Sequence, residues 1–217
     1  MTEDVRLIVL AYTKYGEKSI VLHALSREYG RRGFLVRAVK GSAMSMFLPL
    51  NIVEASVREN PKSSLLVADG FSALYPLNGI RDNLSKNAMT MFMSEVLYRV
   101  IKDGTNEEGL FDWCMKSIIT LDSLPAGGFG NYHIRFLLEL ASALGFTPAE
   151  EDMKPFSSTH LGEISLMVKL PLAEAMLLPL SGASRSEICK DILKYLEYHT
   201  ESTINIKSLD VLRELFH

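Results

Sequence analysis

The hydrophobic period of this chain changes once, near residue 80, and that change restricts the fold more than any other feature. Upstream of it, β-branched and aromatic residues gather in short runs bounded by turn signals. Arg6 to Tyr12 is the first run, the turn Lys14-Tyr15-Gly16-Glu17 follows, and Ser19 to Leu25 is the second. Gly30 to Gly33 mark another turn before Phe34 to Val39. Asn51 to Arg58 and Ser64 to Tyr75 complete the series, the last broken near Asp69-Gly70. Runs of this kind read as strands. Five of them in a segment this short suit a small Greek-key barrel of the OB type. The first three do not alternate cleanly between apolar and polar residues, so cover is expected on both faces.

From Asn83 onward apolar residues recur every three or four positions, the period of an amphipathic helix. Residues 83–102 form one, rich in Met89, Met91, Phe92, Met93, Val96, Leu97 and Val100 and stopped by Gly104. A second runs from about Leu110 to Leu121. A third carries the stripe Ile134, Leu137, Leu138, Ala141 and Leu144 and ends at Gly145. Residues 146–168 hold Pro148, Pro155 and Gly162 and are expected to be a loop with a hairpin insertion near 155–168. Pro171 and Pro179 bracket a short helix. Ser184-Arg-Ser-Glu187 resembles a capping box opening another, and a last helix covers about Ser208 to Phe216. The expected architecture is α+β: a five-stranded OB-type barrel over residues 1–80, then an α-helical domain over 81–217.

Apolar residues make up 47% of the chain and charged residues 23%, ordinary for a folded protein. No apolar run reaches bilayer length, and the N-terminus lacks a basic leader with an apolar signal core, which points to the cytosol. Cys114 and Cys189 stand far apart without the spacing of a metal knuckle, and the five histidines share no ligand spacing, so no metal or cofactor is expected. The net charge of −3 divides unevenly. Residues 1–80 hold ten Lys/Arg against seven Asp/Glu, and the remainder thirteen against nineteen. A basic domain joined to an acidic one fits a polyanion on one side and protein on the other.

The order of Lys14-Tyr15-Gly16-Glu17, Arg27-Glu-Tyr-Gly30-Arg31 and Lys40-Gly41-Ser42 resembles the N-terminal barrel of the bacterial RecO recombination mediators. Ser94-Glu95-Val-Leu97-Tyr-Arg99, the run from Arg135-Phe136-Leu137-Leu138 to Leu144-Gly145-Phe146, and Ile206 to Leu212 are similar to motifs of that family's helical part. Two departures stand out. Many members carry a four-cysteine zinc site after the leucine-glycine-aromatic signature, and Thr147 to Leu161 contains no cysteine. The segment Ser42 to Leu50 is uncharged where many relatives are basic. The resemblance implies a non-enzymatic role in recombinational DNA repair: binding single- and double-stranded DNA, annealing complementary strands, engaging the tail of single-stranded-DNA-binding protein, and working with RecR to load RecA in the bacterial cytoplasm and nucleoid.

Read from the residues, Lys14, Lys18, Arg27, Arg31, Arg32, Arg37 and Lys40 lie in the first three strands and their turns, and consecutive strands are usually neighbours. They form either a phosphate-binding surface or a charged edge that resists sheet-to-sheet aggregation. Tyr15, and behind it Tyr12 and Phe34, are candidates for base stacking, with core or turn packing as the alternative. Arg135 and Phe136 are candidates for gripping an acidic partner peptide. The alternative for Arg135 is an ion pair with Glu139 one turn on. Glu95 among apolar neighbours reads as a helical ion pair with Arg99. No phosphate loop, zinc-protease motif or nucleophile elbow occurs, and no catalytic residue is assigned.

Overall fold

The computed structural model describes residues 2–37, 41–61 and 63–216. Five strands, β1 (Thr2–Tyr15), β2 (Ser19–Ser26), β3 (Gly30–Arg37), β4 (Ile52–Arg58) and β5 (Leu66–Ala73), close a barrel in the order β1-β2-β3-β5-β4. All neighbours are antiparallel except β3 and β5, which run parallel, the closure of the OB fold. A 3-10 helix, Gly41–Phe47, separates β3 from β4. Alternate residues turn inward: Val5, Leu7 and Val9 of β1 meet Ile20, Leu22 and Ala24 of β2, Phe34 and Val36 of β3, and Val53, Ala55 and Val57 of β4. Each such Val, Leu, Ile or Phe side chain, fully withdrawn from water, contributes about 1.5–3 kcal/mol. The expected double cover also holds, because Ile8, Leu25 and Leu35 on the alternate positions are buried as well.

Compact packing divides the chain into two units. The first is Met1–Asn78 with Ile101–Ile119, and the second is Gly79–Val100 with Thr120–His217. Residues 101–119 therefore return to the barrel, a crossing that the 1–80 boundary does not anticipate. Gly30 to Gly33, expected as a turn, are the first half of β3, and the reversal is made by Arg27-Glu28-Tyr29. These glycines serve close approach. A Cβ on Gly30, whose φ is +63°, would lie 2.0 Å from the carbonyl oxygen of Thr105, and one on Gly33 would lie 2.7 Å from Leu65 Cδ2.

In the second unit α1 (Asn78–Arg81), whose first residue belongs to the barrel unit, leads into α2 (Leu84–Val100). Helix α3 (Leu110–Ser123) begins within the barrel unit, and α4 (Tyr132–Ala143) follows. Helix α4 is the hub: eight of its residues are buried, and it packs on α2 and on the later helices α6, α7 and α8. Beyond it come α5 (Glu150–Met153), α6 (Leu161–Lys169), α7 (Leu172–Met176), α8 (Gly182–Thr200) and α9 (Leu209–Leu215). The hairpin expected near 155–168 is instead the start of α6. Gly162 falls in the first helical turn, and Ile164 and Met167, three apart, supply the buried stripe. Helix α8 starts one turn before the proposed capping box. Ser181 is its cap, accepting the Ser184 N–H at 3.0 Å.

Candidate nucleic-acid interface

The strand register sorts the cations into two groups. Tyr15 pairs with Ser19, and Ser19 pairs with Arg37, so Tyr15 and Arg37 stand abreast on the outer face of β1, β2 and β3. Two inter-strand spacings put their backbones about 10 Å apart. Lys14 and Lys18 belong to the same end, Lys14 at the rim of the inward face opposite Ile20, Lys18 in the turn. All three cations are exposed and have no ion pair among the described residues. Tyr15 is 58% exposed and Tyr12 44%. Beyond Ile8, β1 leaves its ladder with β4, which is why residues 12–15 meet solvent while Leu22, Val21 and Ile20, the β2 partners of residues 12–14, remain buried.

Arg27, Arg31 and Arg32 lie at the opposite end, roughly 20 Å away along β3. They are engaged by residues 101–112 of the same unit. Arg31 Nη1 donates to the Ile101 carbonyl at 2.8 Å, and the Arg31 backbone exchanges hydrogen bonds with Gly104 and Thr105. Arg27 forms an ion pair with Asp112 and has its guanidinium 5.8 Å from the Phe111 ring. Arg32 is half-buried beside Gly104. The expected cluster of seven is thus three exposed cations at one end and three restrained ones at the other, while Lys40 lies outside the described residues. Phe34 is fully buried in the barrel core and has no face to offer a base. The restraint by residues 101–112 has no local signature: Gly104 reads only as a helix stop, and Asp112 as one more helical acid.

In the helical unit Arg135 and Phe136 both make contacts within the fold. Phe136 is 2% exposed. Arg135 Nε donates to Glu139 at 2.5 Å, and its Nη1 reaches the carbonyls of Met167, Val168 (3.2 Å) and Leu170 (3.0 Å), completing the C-terminus of α6. Glu95 feels the Arg99 charge but has no ion pair with it among the described residues. Its carboxylate accepts the N–H groups of Lys207 and Ser208, both at 3.0 Å, and the Ser208 hydroxyl at 2.7 Å, so it anchors the start of α9. Burial alone would raise its pKa; these bonds and the Arg99 charge outweigh that and hold it below the usual carboxylate value. Cys114 and Cys189 are buried, and burial pushes both thiols far above the range of a reactive thiolate, Cys189 to about 12. Among the described residues no helix is long and apolar enough to cross a membrane.

A five-stranded barrel closed through a parallel β3–β5 pair, followed by a helical unit, defines an OB-barrel protein with an α-helical extension. The sequence matches the family model for the recombination protein O N-terminal domain over residues 1–69 and the one for its C-terminal domain over residues 81–153. The chain belongs to the recombination protein O family. Similar relatives include proteins named DNA repair protein RecO from Phocaeicola vulgatus and Bacteroides fragilis, each 27% identical over 96% of this chain and 97% of theirs. Another, from Flavobacterium psychrophilum, is 26% identical over 97% of this chain and 98% of its own.

Proposed function

We propose that this protein acts in DNA repair as a non-enzymatic recombination mediator, binding single- and double-stranded DNA through the hairpin end of its barrel. The observation that carries the reading is the set Lys14, Lys18, Arg37 and Tyr15: three exposed cations without ion pairs among the described residues, beside an exposed aromatic ring. Cations on phosphates release counterions, and a ring accepts any base face, so the binding is independent of sequence. Partial neutralisation lowers the repulsion between two strands and leaves base pairing to drive annealing. No catalytic residue is needed for that step.

The finer assignments rest on family membership. They are cooperation with RecR in loading RecA, capture of the tail of single-stranded-DNA-binding protein, and residence in the bacterial cytoplasm with the nucleoid. The competing reading is a protein-binding adaptor whose barrel does not contact nucleic acid. It gains some weight from the engagement of Arg27 by Asp112 and of Arg31 by the Ile101 carbonyl.

Titration of labelled single-stranded DNA over a range of salt concentrations separates the two. Three phosphate contacts predict a slope of log affinity against log salt of about −2, from roughly −0.7 per contact. A Lys14→Glu/Lys18→Glu/Arg37→Glu variant is expected to lose the slope together with the affinity. Absence of binding by the wild-type chain favours the adaptor, and an unaltered slope in the variant removes the site.

A further inference from the structure

His160 occupies the cap position of α6 without capping it. Its carbonyl accepts the Ile164 N–H at 3.0 Å, but its side chain makes no bond to the helix end. The ring instead lies between two carboxylates. Its Nε2 is 2.9 Å from Glu187 of α8, and its Nδ1 is 3.4 Å from Glu163 in the first turn of α6. With the side chain only 13% exposed, water has little room to replace either partner. A neutral imidazole carries one N–H and one lone pair, whereas an imidazolium carries two N–H groups. Carboxylates at both nitrogens are therefore served together only by the charged ring. In the neutral ring one of them would face a lone pair.

The charges about the ring come from both helices. Glu163 belongs to α6 and Glu187 to α8, and Lys190, Asp191 and Lys194 of α8 line the groove that Glu187 borders. Lys194 lies 3.3 Å from Asp191 in a pair of its own. The positive end of the α6 dipole disfavours a cation at the cap, and Glu163 in the first turn offsets that. The hydrogen bond to Glu187 raises the His160 pKa above the ordinary 6.5; burial opposes the rise, and Glu163 adds to it.

Two apolar anchors flank this contact. Before it, the Phe156 ring packs 5.4 Å from that of Tyr195 and 5.7 Å from that of Tyr198, both on α8. After it, Ile164 and Met167 bury the inner face of α6. We propose that His160 is a proton-dependent clasp, which ties the start of α6 to α8 when its ring is charged and frees residues 157–163 between the two anchors when it is neutral. Because the folded value is the raised one, the added stability is fully present below about pH 6.5 and is lost as the pH climbs through the folded value. Release opens the groove between Phe156, Ser158 and Thr159 on one side and α8 on the other, and leaves the rest of the helical unit packed. The inference does not depend on the barrel binding DNA.

The test follows the His160 ring resonances of the full chain, assigned by their loss in His160→Gln, from about pH 5.5 to about pH 8.5. The expected midpoint lies above that of a histidine in an unstructured peptide, and Glu187→Gln should lower it. The Glu187 side chain is 64% exposed, so that variant keeps its fold, which circular dichroism checks. Over the same range the urea midpoint of the wild type should exceed that of His160→Gln most at the acid end, with the gap closing as the pH rises. Amide exchange at residues 157–163, corrected for the intrinsic effect of pH, should quicken across the range in the wild type and be fast throughout in His160→Gln. A ring midpoint at or below the peptide value overturns the proposal. So does a midpoint that Glu187→Gln leaves in place, or a stability gap that does not change with pH, which would make His160 a packing residue alone.

Discussion

The two ends of the β2–β3 pair are both rich in cations, and the fold treats them in opposite ways. At the end formed by Lys14, Lys18 and Arg37 the side chains are exposed and have no ion pair among the described residues. At the end formed by Arg27, Arg31 and Arg32 the same chemistry is turned on the protein itself, holding the Ile101 carbonyl and Asp112. Surface charge therefore does not follow from a count of basic residues. It follows from which of them a distant segment has already engaged. The helical unit repeats the lesson: Lys86 Nζ donates to the carbonyls of Asp122 at 2.9 Å and Leu124 at 2.5 Å, completing the end of α3, much as Arg135 completes α6.

The contrast breaks most easily at Gly30. A methyl group there would meet the Thr105 carbonyl, and the residue already needs a positive φ, so Gly30→Ala should destabilise the barrel unit by about 3 kcal/mol or more. Urea denaturation measures this directly, and a loss below about 1 kcal/mol would mean that residues 101–112 do not pin the turn. Next in size is Tyr15→Ala. Loss of one stacked base predicts about 1–3 kcal/mol weaker binding of single-stranded DNA, read by fluorescence anisotropy, with the salt slope and the urea midpoint unchanged.

Replacing the exposed cations one at a time sharpens the comparison further. Arg37→Gln should flatten the salt slope by about 0.7 and leave stability alone. Arg27→Gln should do neither to any great extent. Its pair with Asp112 is exposed on both sides, and such pairs contribute about 0–1 kcal/mol. A double-mutant cycle with Asp112→Asn measures that coupling. If Arg27→Gln instead flattened the slope as much as Arg37→Gln does, the division between the two ends would fail.

Much of the architecture was legible before any coordinates. Runs of β-branched and aromatic residues bounded by turn chemistry mark β1, β2, β4 and β5 to within a few residues apart from the longer N-terminal reach of β1, and the stripe on α4 is plain because both signals are properties of residues close in sequence. Two errors came from reading glycine as punctuation alone. Gly30 and Gly33 permit close approach inside a strand, and Gly162 sits in the first turn of α6, where it interrupts nothing.

The site was only half legible. Sequence put Lys14, Tyr15, Lys18 and Arg37 in the first strands and their turns, but in one cluster with Arg27, Arg31, Arg32 and Lys40; the strand register divides them. Sequence did not show that Arg31 would be bonded to Ile101, seventy residues on, or that Glu95 would hold Ser208, 113 residues on. Local patterns record what a residue's neighbours along the chain require. The partner of a buried donor is chosen by packing between segments remote in sequence, and that choice exists only once the chain has closed.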